Sequence, residues 1–219
     1  MKTKIIVALD VDNLARAKYF VNRLYPEIKL FKVGLRLFTA CGPEIIKFIR
    51  GKGGESFLDL KFFDIPNTVA HAVRQAARLK IKMLTLHIAG GREMLLSAVR
   101  AAKEESAKLK IKRPLLIGVT VLTSEKATAQ AVLRLANIGL DCGLDGAVCS
   151  VWEARALREK IKKRFIIVTP GIRPKGYLAD DQKRTATAAD ALAAGADYIV
   201  VGRPILEAKE PLKAVRGLI

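Results

Sequence analysis

Three charges fall within six residues in Asp59-Leu60-Lys61-Phe62-Phe63-Asp64, and this Asp-x-Lys-x-x-Asp spacing could do chemistry. Side chains two apart along a strand share a face. Asp59 and Lys61 then point one way, and Leu58, Leu60 and Phe62 the other. Asp64 follows where the strand ends, and Pro66, which has no N–H for a ladder, suits the first turn of a helix. An acid and a base on one face of a strand can hold and move a proton. A solvated edge strand whose charges neutralise each other would carry the same triplet. The apolar flanks, Phe57-Leu58 and Phe62-Phe63, weigh against such exposure.

The same parity places other charges. Asp10 shares a face with Ile6 and the small Ala8, and Lys32 with Leu30 and Gly34. A lysine between Phe31 and Val33 on a central strand is expected to be buried, and a buried lysine needs a partner. Asp10 and Asp59, on the strands either side, are the candidates, which gives an alternating row of Asp10, Lys32, Asp59 and Lys61. A structural ion network closing one end of the fold is the alternative to a reactive centre. Asp10 could also cap a helix, although Asp12 and Asn13 stand nearer the helix start. His87 is expected to be structural, Ser150 to belong to packing, and Trp152 to lie in the core.

A second group of residues suits an anion. Thr169-Pro170-Gly171-Ile172-Arg173 and Gly202-Arg203-Pro204 end two late strand-like runs. In eight-stranded α/β barrels the loops after strands seven and eight frequently bind phosphate through backbone N–H groups and a guanidinium. Gly171 and Gly202 would permit close backbone approach, and Arg203 would offer a fork to phosphate oxygens. The polar stretch from Pro174 to Arg184 is long enough to fold over a ligand, with Gln182 able to bond it; a surface loop is the alternative. Thr123, after strand five, would either bind a polar ligand or cap the helix beginning at Glu125.

Eight strand-like runs must position these groups: Lys4 to Asp10, Ile28 to Gly34, Ser56 to Phe62, Met83 to Ala89, Pro114 to Thr120, Asp145 to Ser150, Phe165 to Gly171 and Asp197 to Gly202. Amphipathic segments alternate with them: Asn13 to Leu24, Leu35 to Arg50, Pro66 to Leu79, Arg92 to Leu109, Glu125 to Ile138, Val151 to Lys160, Thr185 to Ala194 and Pro204 to Arg216. Eight β-then-α units predict a parallel sheet closed as a single (β/α)8 TIM barrel over residues 1–219. A doubly wound open sheet is the runner-up, but no Gly-x-Gly-x-x-Gly follows the first strand.

Composition sets outer bounds. Hydrophobic residues make up 51% of the 219, which excludes disorder as the main state. No run reaches the ~18 apolar residues of a membrane span, and the N-terminus lacks the pattern of a signal peptide. Cys41, Cys142 and Cys149 have no metal-type spacing and are expected to be reduced in a cytoplasmic protein. The net charge of +18 is compatible with attracting an anionic substrate. Its bases are scattered among helix ends and turns without interleaved aromatics, so no specific nucleic-acid partner is expected.

With these residues in view, the chain resembles the orotidine 5′-phosphate decarboxylase family over essentially its whole length. The resemblance rests on Asp59-x-Lys61-x-x-Asp64-Ile65-Pro66-Asn67-Thr68, Phe31-Lys32-Val33-Gly34, Thr169-Pro170-Gly171-Ile172-Arg173 and Gly202-Arg203-Pro204, in that family's order. It implies decarboxylation of orotidine 5′-phosphate to uridine 5′-phosphate, the last step of UMP synthesis, by a homodimer without cofactor. Lys61 would protonate C6 and Asp59 would face the departing carboxylate, with Lys32 and Asp10 on the ribose. Asp64 and Thr68 would reach the partner's site. Thr123 and Gln182 would address the pyrimidine, and Gly202, Arg203 and Arg173 the phosphate. Related barrels that act on keto sugar phosphates carry Glu at the position of Lys32 and use a divalent metal; a lysine there would repel Mg²⁺, so no metal is expected. The rivals are such a metal-dependent aldolase or decarboxylase, and a non-catalytic nucleotide- or nucleic-acid-binding barrel.

Overall fold

Alternation along each strand divides the apolar side chains between two cores. The computed structural model describes residues 4–122, 128–174 and 186–218. Its strands are β1 (Lys4–Ala8), β2 (Leu30–Gly34), β3 (Glu55–Phe62), β4 (Met83–His87), β5 (Leu115–Val119), β6 (Gly146–Val148), β7 (Ile166–Thr169) and β8 (Tyr198–Val201). They are parallel and pair in chain order, and β1 closes on β8 through Ile5 opposite Ile199. The fold is the expected (β/α)8 barrel. Ile6, Leu30, Phe57, Met83, Ile117 and Val168 fill the interior, while Phe31, Val33, Leu58, Leu84 and Leu116 face the helical layer. The sequence parity therefore holds: Ala8, Lys32 and Asp59 stand on inward-facing positions.

The helices are α1 (Leu14–Leu24), α2 (Leu35–Cys41), α3 (Glu44–Gly51), α4 (Pro66–Arg78), α5 (Gly91–Lys108), α6 (Ala129–Asp141), α7 (Val151–Lys160), α8 (Ala188–Ala193), α9 (Arg203–Leu206) and α10 (Pro211–Arg216). Two expected helices are each split in two. Leu35 to Arg50 breaks at Gly42, which turns with φ +56°, and at Pro43, which disfavours helix in the residue before it. Pro204 to Arg216 breaks before Pro211, whose nitrogen cannot donate to the preceding turn. Asn13 caps α1 by accepting from Arg16 N–H at 2.9 Å.

Two expectations about strand six are corrected. Ser150 is not merely packing: with Glu153 it forms a capping box at the start of α7. Trp152 is not in the core but 70% exposed. The buried stripe of α7 runs through Val151, Ala154 and Leu157, and one residue of helix rotation carries Trp152 off it. Among the described residues, no helix is long and apolar enough to cross a membrane.

Candidate active site

The site begins with an irregularity in β3. Leu58 pairs with Leu84 and Phe62 with Leu86, so Asp59, Leu60 and Lys61 stand opposite Thr85 alone. The surplus is absorbed by a shift in register, and Lys61 takes φ +50°, the left-handed region that side chains other than glycine rarely enter. Its N–H, displaced from the ladder, donates instead to Thr85 Oγ1 at 2.9 Å.

Asp59 is the hub. Its side chain is 13% exposed; Oδ2 lies 3.1 Å from Lys32 Nζ and Oδ1 3.0 Å from Lys61 Nζ. Thr85 Oγ1 donates to Oδ1 at 2.9 Å. Burial pushes the Asp59 carboxyl up, but the charges of Lys32 and Lys61 and the hydrogen bonds from Lys61 and Thr85 outweigh it. The net effect holds the carboxyl below its ordinary value, as a carboxylate between two ammonium groups. Gly34, on the next strand, leaves room for one of them: a Cβ there would stand 3.2 Å from Lys32 Nζ.

Three of the four charges expected in a row are thus ion-paired. Asp10 is the exception; it is exposed, just beyond the end of β1, with no ion pair to Lys32. It still lines the same cavity of about 870 Å³, together with Lys32, Asp59, Lys61, Arg173, Gly202 and Arg203. Arg36, at the start of α2, fastens this edge. Its Nε donates to Asp12 Oδ1 at 2.7 Å, Nη2 reaches the same oxygen, and Nη1 donates to the Asp10 carbonyl at 3.2 Å.

Across the mouth Arg173 is buried, and its Nη1 donates to the carbonyl of Ile172 at 2.9 Å. Gly171 turns with φ +79°. A Cβ at Gly202 would meet only Ala8, at ordinary contact distances, so packing alone does not require glycine there. Asp64 and Thr68 do not line this cavity: both are exposed, Asp64 on the link into α4, where its Oδ1 accepts from Ile65 N–H at 2.6 Å, and Thr68 in the first turn of α4. Beside them Phe63 and Ile65 are 62% and 65% exposed. Thr123 and Gln182 lie outside the described residues.

Sequence reasoning did not single out Thr85, Arg36 or Arg16, which also lines the cavity. A threonine within a strand is ordinary, and the two arginines read as solvated helix charges. The register brings Thr85 to Asp59, and the starts of α1 and α2 bring the two arginines to the cavity.

A closed parallel barrel with an ion row on its inner face and arginines across the mouth defines a barrel protein built to receive an anionic small molecule. Residues 3–218 match the model of the Orotidine 5'-phosphate decarboxylase / HUMPS family, and the chain belongs to that family. It is 47% identical to an orotidine 5′-phosphate decarboxylase of Moorella thermoacetica over 99% of this chain and 91% of that one. It is 43% identical to one from Syntrophotalea carbinolica over 100% and 94%. The crystal structure of orotidine 5′-phosphate decarboxylase from Lactobacillus acidophilus superposes with a TM-score of 0.87 at 36% identity, covering 99% of this chain and 97% of that one.

Proposed function

We propose that this protein decarboxylates orotidine 5′-phosphate to uridine 5′-phosphate in UMP biosynthesis, without metal or cofactor. Family membership and the names of the relatives make it a carboxy-lyase. The observation that carries the mechanism is the Lys32–Asp59–Lys61 row, paired at 3.1 and 3.0 Å on the inner face of the barrel. The bond from C6 to the carboxyl carbon breaks and its electron pair stays on C6. Carbon dioxide leaves, and Lys61 Nζ delivers a proton to C6. Solvent restores the ammonium afterwards. Asp10 and Lys32 hold the ribose, Gly202, Arg203 and Arg173 the phosphate, and Thr123 and Gln182 the pyrimidine. The two lysines occupy the surroundings of Asp59 that a divalent cation would need.

Magnitudes decide which electrostatic effect leads. Two like charges ~4 Å apart repel by about 4 kcal/mol at an effective dielectric near 20. Enzymes at the upper end of acceleration lower barriers by about 23 kcal/mol. Repulsion between Asp59 and the substrate carboxylate is therefore a minor contribution. The larger share comes from an ammonium already in place opposite the developing carbanion, with phosphate binding holding the ring there.

The unit is a homodimer in this reading, with Asp64 and Thr68 entering the partner's site. Its support is the pair of exposed apolar side chains, Phe63 and Ile65, flanking Asp64. The test follows the ultraviolet absorbance of orotidine 5′-phosphate with purified protein in EDTA. Turnover unaffected by the chelator is expected. Activity lost in EDTA and restored by Mg²⁺ would overturn the metal-free mechanism.

A further inference from the structure

Thr85 is fully buried on β4 and touches two groups of the ion row. We infer that Thr85 is a positioning residue: its hydroxyl sets where the Lys61 ammonium stands. This rests on the decarboxylase reading above. One oxygen serves both neighbours, accepting from Lys61 N–H and donating to Asp59 Oδ1, each at 2.9 Å. The same Oδ1 receives Lys61 Nζ at 3.0 Å. The bonds close a ring from the Lys61 backbone through Thr85 and Asp59 back to the end of the Lys61 side chain. Both ends of the lysine are thereby referred to a single hydroxyl.

The need for such a tie comes from the bulge. Among the described residues, the other non-glycine positions with positive φ are Lys80 and Lys110, both in turns just after helices. Lys61 alone adopts it within a strand. A conformation of that kind persists where the surroundings over-determine it. Thr85 is held in turn by pairing opposite Ile117 of β5, so its position does not depend on the cavity. Asp59 is faced by Lys32 from β2, Lys61 from its own strand and Thr85 from β4. Loss of the hydroxyl removes one group that favours the carboxylate.

Thr85→Val keeps the shape and removes the hydroxyl; Thr85→Ala removes it with a different packing change; Thr85→Ser retains it. Turnover of orotidine 5′-phosphate and binding of uridine 5′-phosphate are measured for all three beside the wild type. Both hydroxyl-free variants are expected to lose about a hundredfold in kcat. Nucleotide binding should stay within about threefold, and Thr85→Ser should regain most of the rate. The acid limb of the pH–rate profile should move to higher pH in Thr85→Val. Hydroxyl-free variants with wild-type kcat and an unmoved acid limb would overturn the inference. So would kcat and nucleotide affinity falling together, or failure of both to fold while Thr85→Ser folds, since each marks a role in the fold alone. A wild-type protein that releases no carbon dioxide would instead defeat the reading beneath it.

Discussion

Asp59 sits where burial and charge compete, and the two ammonium groups prevail. Because its carboxyl is held below its ordinary value, it contributes stability above the unfolded pKa of ~3.9, lost as pH falls through the folded value. Asp59→Asn leaves two partly buried cations facing an amide and should destabilise the protein by about 3 kcal/mol at neutral pH. Denaturant titrations at descending pH should show that gap closing below about pH 4. A gap constant with pH would mean the carboxylate is not the stabilising species. Gly34→Ala tests the space around the other lysine. The backbone there, φ −96° and ψ −175°, suits alanine, so the melting temperature should scarcely move. The added Cβ crowds Lys32 Nζ, and kcat should fall about tenfold. Asp59, Lys61 and Lys32 were legible because period-two parity puts charge on an inward face. Thr85 was not, since nothing local marks a strand threonine as a ligand of anything.

At the scale of elements, the bulge and the helix entries shape the mouth. Strand order, parity and closure could be read from eight short apolar runs. The breaks at Gly42-Pro43 and before Pro211 were written in residues that stop helices, yet amphipathic continuity across them concealed the stops. The extra residues of β3 were invisible, because register is a property of two strands. Arg36 shows how a helix start governs a neighbouring loop, tying Asp12 and the Asp10 carbonyl to α2. The pair is exposed, so it adds little to stability. Its effect should fall on binding: Arg36→Ala should raise KM for orotidine 5′-phosphate about tenfold and leave kcat within about threefold, by steady-state kinetics. A change confined to kcat would contradict this placement of Arg36.

Over the whole molecule, the net charge of +18 favours an anionic ligand, and the proposed substrate carries a carboxylate as well as its phosphate. The proposed dimer carries a prediction at the same scale. If the proposed site is shared between subunits, Lys61→Ala and Asp64→Ala disable different parts of it, and mixing the two variants should restore activity through hybrid dimers with one intact site. No recovery after subunit exchange would contradict the assignment of Asp64 to the partner's site. Beneath these predictions lies the claim that the barrel stabilises negative charge on C6 of the pyrimidine, with Lys61 as the proton donor. By microscopic reversibility, the same centre must remove that proton from the product. The direct measurement is proton NMR of uridine 5′-phosphate in D₂O: wild-type protein should exchange the C6 hydrogen for deuterium above background, and Lys61→Ala should not. Exchange that persists in Lys61→Ala, or decarboxylation by a wild-type protein that never exchanges C6, would contradict the account.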